Sequence, residues 1–144
     1  MALSARTPTI VKLSSGDIPI RNDLQAIGSI TPGMLVEYRN DSGTLKWGVH
    51  DSADGAVQTA VALDEPEFNN GLSDAYAAGT KVRVGHFRAG DQFYGIVPSG
   101  QNITQGAYLQ SNGDGKLKAL GSGVGAFIAI ETIGSVSADT RIRV

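Results

Sequence analysis

Ile30-Thr31-Pro32-Gly33-Met34-Leu35-Val36-Glu37-Tyr38 is the stretch whose reading decides the fold. Pro32-Gly33 suits the centre of a type II turn, because proline presets φ and glycine tolerates positive φ. Beyond the turn, Met34, Val36 and Tyr38 share one face of a strand, and Leu35 and Glu37 share the other. The stretch returns as Ile103-Thr104-Gln105-Gly106-Ala107-Tyr108-Leu109-Gln110. Both copies run into polar, glycine-containing turns, Asn40-Asp41-Ser42-Gly43 and Ser111-Asn112-Gly113-Asp114-Gly115. Both turns hand over to Leu-Lys, at Leu45-Lys46 and Leu117-Lys118. A small apolar run ending in acid follows each: Val61-Ala62-Leu63-Asp64-Glu65 and Ile128-Ala129-Ile130-Glu131. Three blocks in the same order read as a repeated β unit, residues 30–65 and 103–131. The competing account is that two hairpins resemble each other because turn chemistry is limited.

Upstream of Ile30 the texture changes. Thr9-Ile10-Val11-Lys12-Leu13 has strand character, yet Pro8, Ser14-Ser15-Gly16 and Pro19 surround it. Ile18, Ile20, Leu24 and Ile27 follow neither a period of two nor of 3.6. Two readings fit residues 1–29: an extended arm with sparse apolar anchors, or an ordinary first strand of the domain. Downstream, Thr44 to Val49 returns from the first hairpin and carries Trp47, the single tryptophan. Trp47 reads as a core or interface residue, with a ligand platform as the alternative. Val57, Thr59, Val61 and Leu63 alternate with Gln58, Ala60 and Ala62. Ser73-Asp74-Ala75-Tyr76-Ala77-Ala78-Gly79 carries a serine N-cap, an acid in the first turn and a closing glycine, which predicts one short helix. Lys81 to Phe87, Gln92 to Val97 and Ala126 to Ile133 read as further strands. Thr140 to Val144 alternates to the last residue, which places the C-terminus in a sheet.

The chain has 144 residues, 19 glycines and no cysteine, with a formal net charge of −2. That length supports one domain with its own core, here a mainly β domain at 30–144 preceded by the arm. No basic surplus attracts nucleic acid or anionic lipid in bulk. Without cysteine there is no disulfide, thiolate metal site or thiol nucleophile. No apolar run reaches the length of a membrane span, and Met1 to Arg6 lacks the pattern of a secretory signal.

Catalytic motifs are missing. His50 and Asp51 are sequence neighbours, which on a strand point to opposite faces. His86 lies between Gly85 and Phe87 and reads as a packed or surface residue. The acidic turns Asp51–Gly55 and Ser111–Gly115 lack the spaced oxygens of a calcium loop and fit turns that need positive φ. Glu65 and Glu131 occupy comparable places, but nothing in their spacing brings them together. No enzyme activity, cofactor or metal is expected. A β module of this kind reads as a binding or structural protein, and an extended arm can add a strand to a neighbour's sheet.

Taken in order, several stretches resemble the head decoration proteins of tailed bacteriophages. They are Ile30-Thr31-Pro32-Gly33, Leu63-Asp64-Glu65, Leu72 to Val84, Gly106-Ala107-Tyr108-Leu109, Ser111 to Leu117, Ile128-Ala129-Ile130-Glu131 and Arg141-Ile142-Arg143-Val144. The resemblance spans about Ile30 to Val144, and the arm carries none of it. It implies a compact small β-barrel or β-tulip body. It also implies a structural virion protein on the outer surface of the mature head, made in the host cytoplasm. Such a protein cements neighbouring subunits of the major capsid protein against internal DNA pressure, commonly as a homotrimer, with no nucleic-acid or membrane partner. On that reading Thr9, Ile10, Val11, Lys12, Leu13, Ile18, Pro19 and Ile20 form the capsid-binding arm. Trp47 and Tyr76 are candidate contacts with copies or partners. A glycan- or receptor-binding module using Trp47, Tyr76 or Tyr108 as stacking platforms is the alternative, although aromatic content is 6%. Another phage component, of tail or baseplate, is also compatible.

Overall fold

A computed structural model of the chain describes residues 11–13, 17–65 and 71–144. Ten strands form over them: β1 (Ile20–Arg21), β2 (Leu35–Asp41), β3 (Thr44–Val49), β4 (Ala60–Ala62), β5 (Val84–His86), β6 (Tyr94–Val97), β7 (Tyr108–Ser111), β8 (Leu117–Ala119), β9 (Phe127–Ile128) and β10 (Thr140–Arg143). They pair antiparallel throughout. Three sheets result, ordered β1-β5-β4-β2-β3, β10-β6 and β8-β7-β9. The mainly β class is therefore observed.

The two echoing stretches fold alike. In each unit the first strand is central, its hairpin partner lies on one side and the third strand on the other, as β4-β2-β3 and β9-β7-β8. The Thr31 carbonyl accepts from Met34 N–H at 3.1 Å, and the Thr104 carbonyl accepts from Ala107 N–H at 3.0 Å, so both are β-turns. Gly33 and Gly106 adopt φ of +96° and +86° at the third position. Each glycine N–H then reaches the third strand's continuation, Gly33 to the Ala62 carbonyl at 2.7 Å and Gly106 to the Ala129 carbonyl at 2.8 Å. Ile30 and Ile103, both buried, each make an antiparallel bridge, to Tyr76 and Ile133. This register makes Asp64, rather than Glu65, the counterpart of Glu131. Leu63 N–H donates to the Arg83 carbonyl and Ile130 N–H to the Arg143 carbonyl in the same way.

The first sheet is covered on both faces. Leu35, Val61, Leu63 and Phe87 look into the larger core with Phe93, Val97, Leu109, Leu117 and Ile142. Val36, Trp47, Ala60, Ala62 and Val84 look the other way, beneath Ala26, Ile30, Tyr76 and Val82. Apolar burial on two faces makes this sheet the centre of the molecule.

Three expectations are corrected. Residues 73–79 form turns around a bridge, with no helix. Tyr76 N–H donates to the Ile30 carbonyl at 2.8 Å and Ile30 N–H to the Tyr76 carbonyl at 3.1 Å, and these long-range bonds replace the i→i−4 ladder. Among the described residues there is no helix at all, and thus none long and apolar enough to cross a membrane. No sheet closes into a barrel: β1 and β3 end the first sheet without meeting, and the other two sheets are small. Finally, the alternation from Val57 to Leu63 breaks at Thr59, whose φ of +53° is a left-handed value that a β-branched residue rarely adopts. Strand β4 consequently starts only at Ala60.

The paired turns give a test. A Cβ at Gly33 would lie 2.5 Å from Arg141 Nη1 and 2.9 Å from the Tyr94 carbonyl oxygen, whereas Gly106 has nothing within 4 Å. Gly106→Ala meets only the left-handed strain of about 1–2 kcal/mol. Gly33→Ala adds a backbone clash and should destabilise by roughly 3 kcal/mol or more. Urea unfolding of the two variants checks the difference; equal losses would contradict it.

Candidate functional site: the arm, the unit junction and the open face

The described parts of the arm, residues 11–13 and 17–29, lie along the body. Lys12 bridges Phe93, Leu13 N–H donates to the Gln92 carbonyl at 3.0 Å and Tyr94 N–H donates to the Val11 carbonyl at 2.8 Å. Val11 N–H donates to Asp64 Oδ1 at 2.8 Å. The Val11 and Ile18 side chains sit in the larger core. His86 N–H donates to the Pro19 carbonyl at 2.9 Å, and Ile20 pairs with Gly85. Lys12 and Leu13 are half-buried, while Pro19 and Ile20 are exposed, Ile20 by 41%. Thr9 and Ile10 lie outside the described residues. Residues 11–13 and 17–21 thus find their partners on the chain's own domain, as both an extended arm and a first strand can.

Trp47 and Tyr76 are both buried within the chain's own fold, Trp47 as the core residue that its sequence reading offers beside an interface one. Trp47 stacks on Tyr38 with ring centroids 4.2 Å apart, and its Nε1 has no hydrogen-bond partner. Tyr76 donates its hydroxyl to the Leu63 carbonyl at 2.7 Å. Burial, followed by the charge of Glu65, pushes its pKa up to about 12, so it stays a donor.

Beside Trp47 the first sheet carries a polar cluster. Tyr38 Oη lies 3.4 Å from His86 Nε2 and accepts from Arg21 Nη1 at 3.4 Å. Arg21 itself is held by both oxygens of Asp23, at 2.6 and 2.9 Å. Burial, and then the Arg21 charge, lower the His86 pKa.

His50 joins the two units, a role its sequence position does not reveal. Its Nε2 faces the Ala56 carbonyl at 2.9 Å and therefore carries the proton. Its Nδ1 then accepts from the Ser111 hydroxyl at 2.7 Å, while Ser111 Oγ accepts from Gly113 N–H at 3.1 Å. Glu37 Oε2 stands 3.8 Å from Nε2. Carboxylate, imidazole and serine thus line up as in a nucleophile–base pair. Yet His50 and Ser111 are each 1% exposed, so no substrate reaches Oγ in this arrangement. The cluster works as a clamp. Gly115 fits beside it, accepting from Leu35 N–H at 2.8 Å and donating to the His50 carbonyl at 3.0 Å.

The acidic turns are also taken up internally. Asp54 pairs with Lys118 at 2.8 Å and accepts from Gln110. Asp114 accepts from Asn112 Nδ2 at 3.1 Å and lies 3.8 Å from Lys116 Nζ. Glu131 is turned to Arg143, accepting its N–H at 2.8 Å. Among the described residues no three His, Asp or Glu converge as metal ligands.

One face is open. Tyr108 pairs with Ile128 on β7 and β9, in the places that Leu35 and Val61 take in the first unit. Leu35 and Val61 are core, but Tyr108 is 56% and Ile128 50% exposed. Val124, on the glycine-rich loop after β8, is 91% exposed, and its neighbour Gly125 packs on Tyr108, where a Cβ would lie 2.7 Å from the tyrosine Cβ. Contiguous exposed apolar side chains mark interaction surfaces. The sequence hides this one, because Ile128 sits in a run that reads as buried.

Two outcomes test these assignments. A histidine whose folded pKa is depressed stabilises fully above its unfolded value, near 6.5, and loses that contribution as pH falls toward the folded value. Chemical denaturation between about pH 5 and 8 should show stability declining on the acid side, with a shallower decline in His86→Gln. For the clamp, His50→Ala and Ser111→Ala should each destabilise by about 1–3 kcal/mol, and the double variant by clearly less than their sum. Strict additivity would show that the two do not act together. Compared with protein-family models and with curated proteins, the chain matches none.

Proposed function

We propose that this chain is a structural virion protein that binds the outer surface of the mature phage head and cements neighbouring major capsid subunits. The ordered resemblance over Ile30 to Val144 supplies the class. The open apolar face of the second unit is the observation that carries the reading. A cement protein needs a preformed surface for a partner, and exposed Tyr108, Val124 and Ile128 suit one, Tyr108 and Ile128 standing where the first unit has buried Leu35 and Val61. Self-association as a homotrimer would set several such faces on the shell at once, so that modest contacts add up through effective concentration. The protein carries out no reaction on this reading, and its function is binding energy spread over many copies outside the capsid.

On this reading the principal contact surface is the open face, with the arm expected on sequence in a lesser part. Val11 and Ile18 are bound into the chain's own core, which leaves Pro19, Ile20 and residues outside the described set for an arm contact. The glycan-binding alternative loses Trp47 and Tyr76 as platforms and keeps only Tyr108.

Mixing purified protein with mature and immature empty heads tests the proposal. Coating of mature heads is expected. Tyr108→Ser with Ile128→Ser should weaken coating tenfold or more, roughly one hot-spot pair, while leaving the melting temperature near that of the parent. Failure of the parent protein to coat either kind of head would sink the proposal. Undiminished coating by a folded double variant would remove the open face from it. Deletion through Ile20 is a poorer probe, because it also strips Val11 and Ile18 from the core.

A further inference from the structure

A cavity of about 230 Å³ lies between the Thr31 to Met34 turn and β10. Arg141 and Lys116 bring cationic side chains to its wall, Thr31 and Ser73 bring hydroxyls, and Leu72 and Ile96 are apolar. We propose that this cavity binds a small carboxylate, with Arg141 as its countercharge.

The argument starts from charge. Lys116 is already neutralised, its Nζ lying 2.8 Å from Asp139, which also lines the cavity. Arg141 is not. Its Nη2 donates to the Leu72 carbonyl, a neutral acceptor, and its Nη1 is buried without a hydrogen-bond partner. Among the described residues no carboxylate lies within salt-bridge distance of it. Burial lowers the Arg141 pKa, and Asp64 offsets this only in part. A half-buried guanidinium with one nitrogen shut from water and, among the described residues, no carboxylate within salt-bridge distance is an uncommon expense for a fold, and a single negative charge would balance it.

The repeat shows that the arrangement is particular to this place. Gly33 and Gly106 head equivalent turns, yet only Gly33 has a guanidinium against its α-carbon, where a Cβ would come within 2.5 Å of Nη1. The first turn is therefore shaped around Arg141, and the second has open space at that point.

Size and lining narrow the ligand class. The volume is below that of ordinary drug-sized sites and suits a few heavy atoms. One uncompensated cation favours a monoanion over a phosphate dianion. Hydroxyl donors at the wall serve a carboxylate head, and Leu72 and Ile96 accept a short aliphatic tail. A free short-chain acid and an acidic side chain of a bound partner share this chemistry.

Propionate is the probe, added to the full chain against sodium chloride at matched ionic strength. The melting temperature should rise with the logarithm of propionate concentration and not with chloride, and the Arg141 side-chain NMR signals should shift. Arg141→Gln should weaken the response roughly tenfold or more. Should that variant fail to fold, Ser73→Ala is read instead, with a smaller weakening expected, alongside the Arg141 signals of the parent. Equal effects of propionate and chloride, a full response in folded Arg141→Gln, or a full response in Ser73→Ala with unmoved Arg141 signals would overturn the site. Propionate that binds and also blocks coating of heads identifies a partner's acidic side chain as the source. Propionate that binds without blocking identifies a free acid. Either result upholds the site, and neither binding result depends on capsid attachment being correct.

Discussion

The hydrogen bond from Gly33 N–H to the Ala62 carbonyl, and its counterpart from Gly106 to Ala129, are what the rest of the structure depends on. Each requires the chain to turn with a positive φ and then to present its N–H to a strand far along the sequence. Once made, the bond fixes where the third strand lies beside the first and so sets the register of the whole unit. Every side chain's face follows from it. In the first unit Leu35 and Val61 turn toward the shared core, and Val36 and Ala60 turn toward Trp47. In the second unit Leu109 and Phe127 take the core side, which leaves Tyr108 and Ile128 outside.

The units pack with opposite faces toward each other, and this difference accounts for the apolar surface. A fully symmetric arrangement would bury corresponding positions alike. Here the first unit is enclosed by residues 24–30, Tyr76 and Val82 on one side and by the second unit on the other. Among the described residues the second unit has no such second cover. His50, Ser111 and Gly115 hold the junction, with every polar atom of the His50 ring engaged. Buried polar groups satisfied in this way fix one arrangement of two sheets that apolar packing alone would leave free to slide.

The arm and the acids show how similar local chemistry serves different ends. Asp64 and Glu131 close equivalent runs, and both accept a main-chain N–H, from Val11 and Arg143 respectively. Asp64 thereby ties the arm down, and Glu131 ties the last strand. A carboxylate at the end of a short strand has few neighbours of its own unit left to bond, so it recruits whichever chain passes beside it. Arg141 is the contrasting case, a half-buried charge with no carboxylate partner among the described residues.

Much of the architecture was legible in the sequence. Turn glycines at 33, 43, 106 and 113, period-two alternation in β2 and β10, and the ordered repeat follow from local rules, because φ preference and strand periodicity act over a few residues. The helix expected at residues 73–79 failed for a definite reason. Its capping pattern was local and correct, but the bridge between Tyr76 and Ile30 outweighed it. Thr59 likewise leaves its preferred extended conformation, at a place where its carbonyl accepts the N–H of distant Phe87. Which anchors of the arm stay on the body, which of two equivalent apolar pairs is covered, and that His50 meets Ser111 are matters of long-range contact. By itself the sequence determined that the chain is a β protein with two similar units, since that information is periodic and near in sequence. Only the tertiary structure decided which face remains open and which charge remains unbalanced, since burial is settled by what packs on a strand and not by the strand alone.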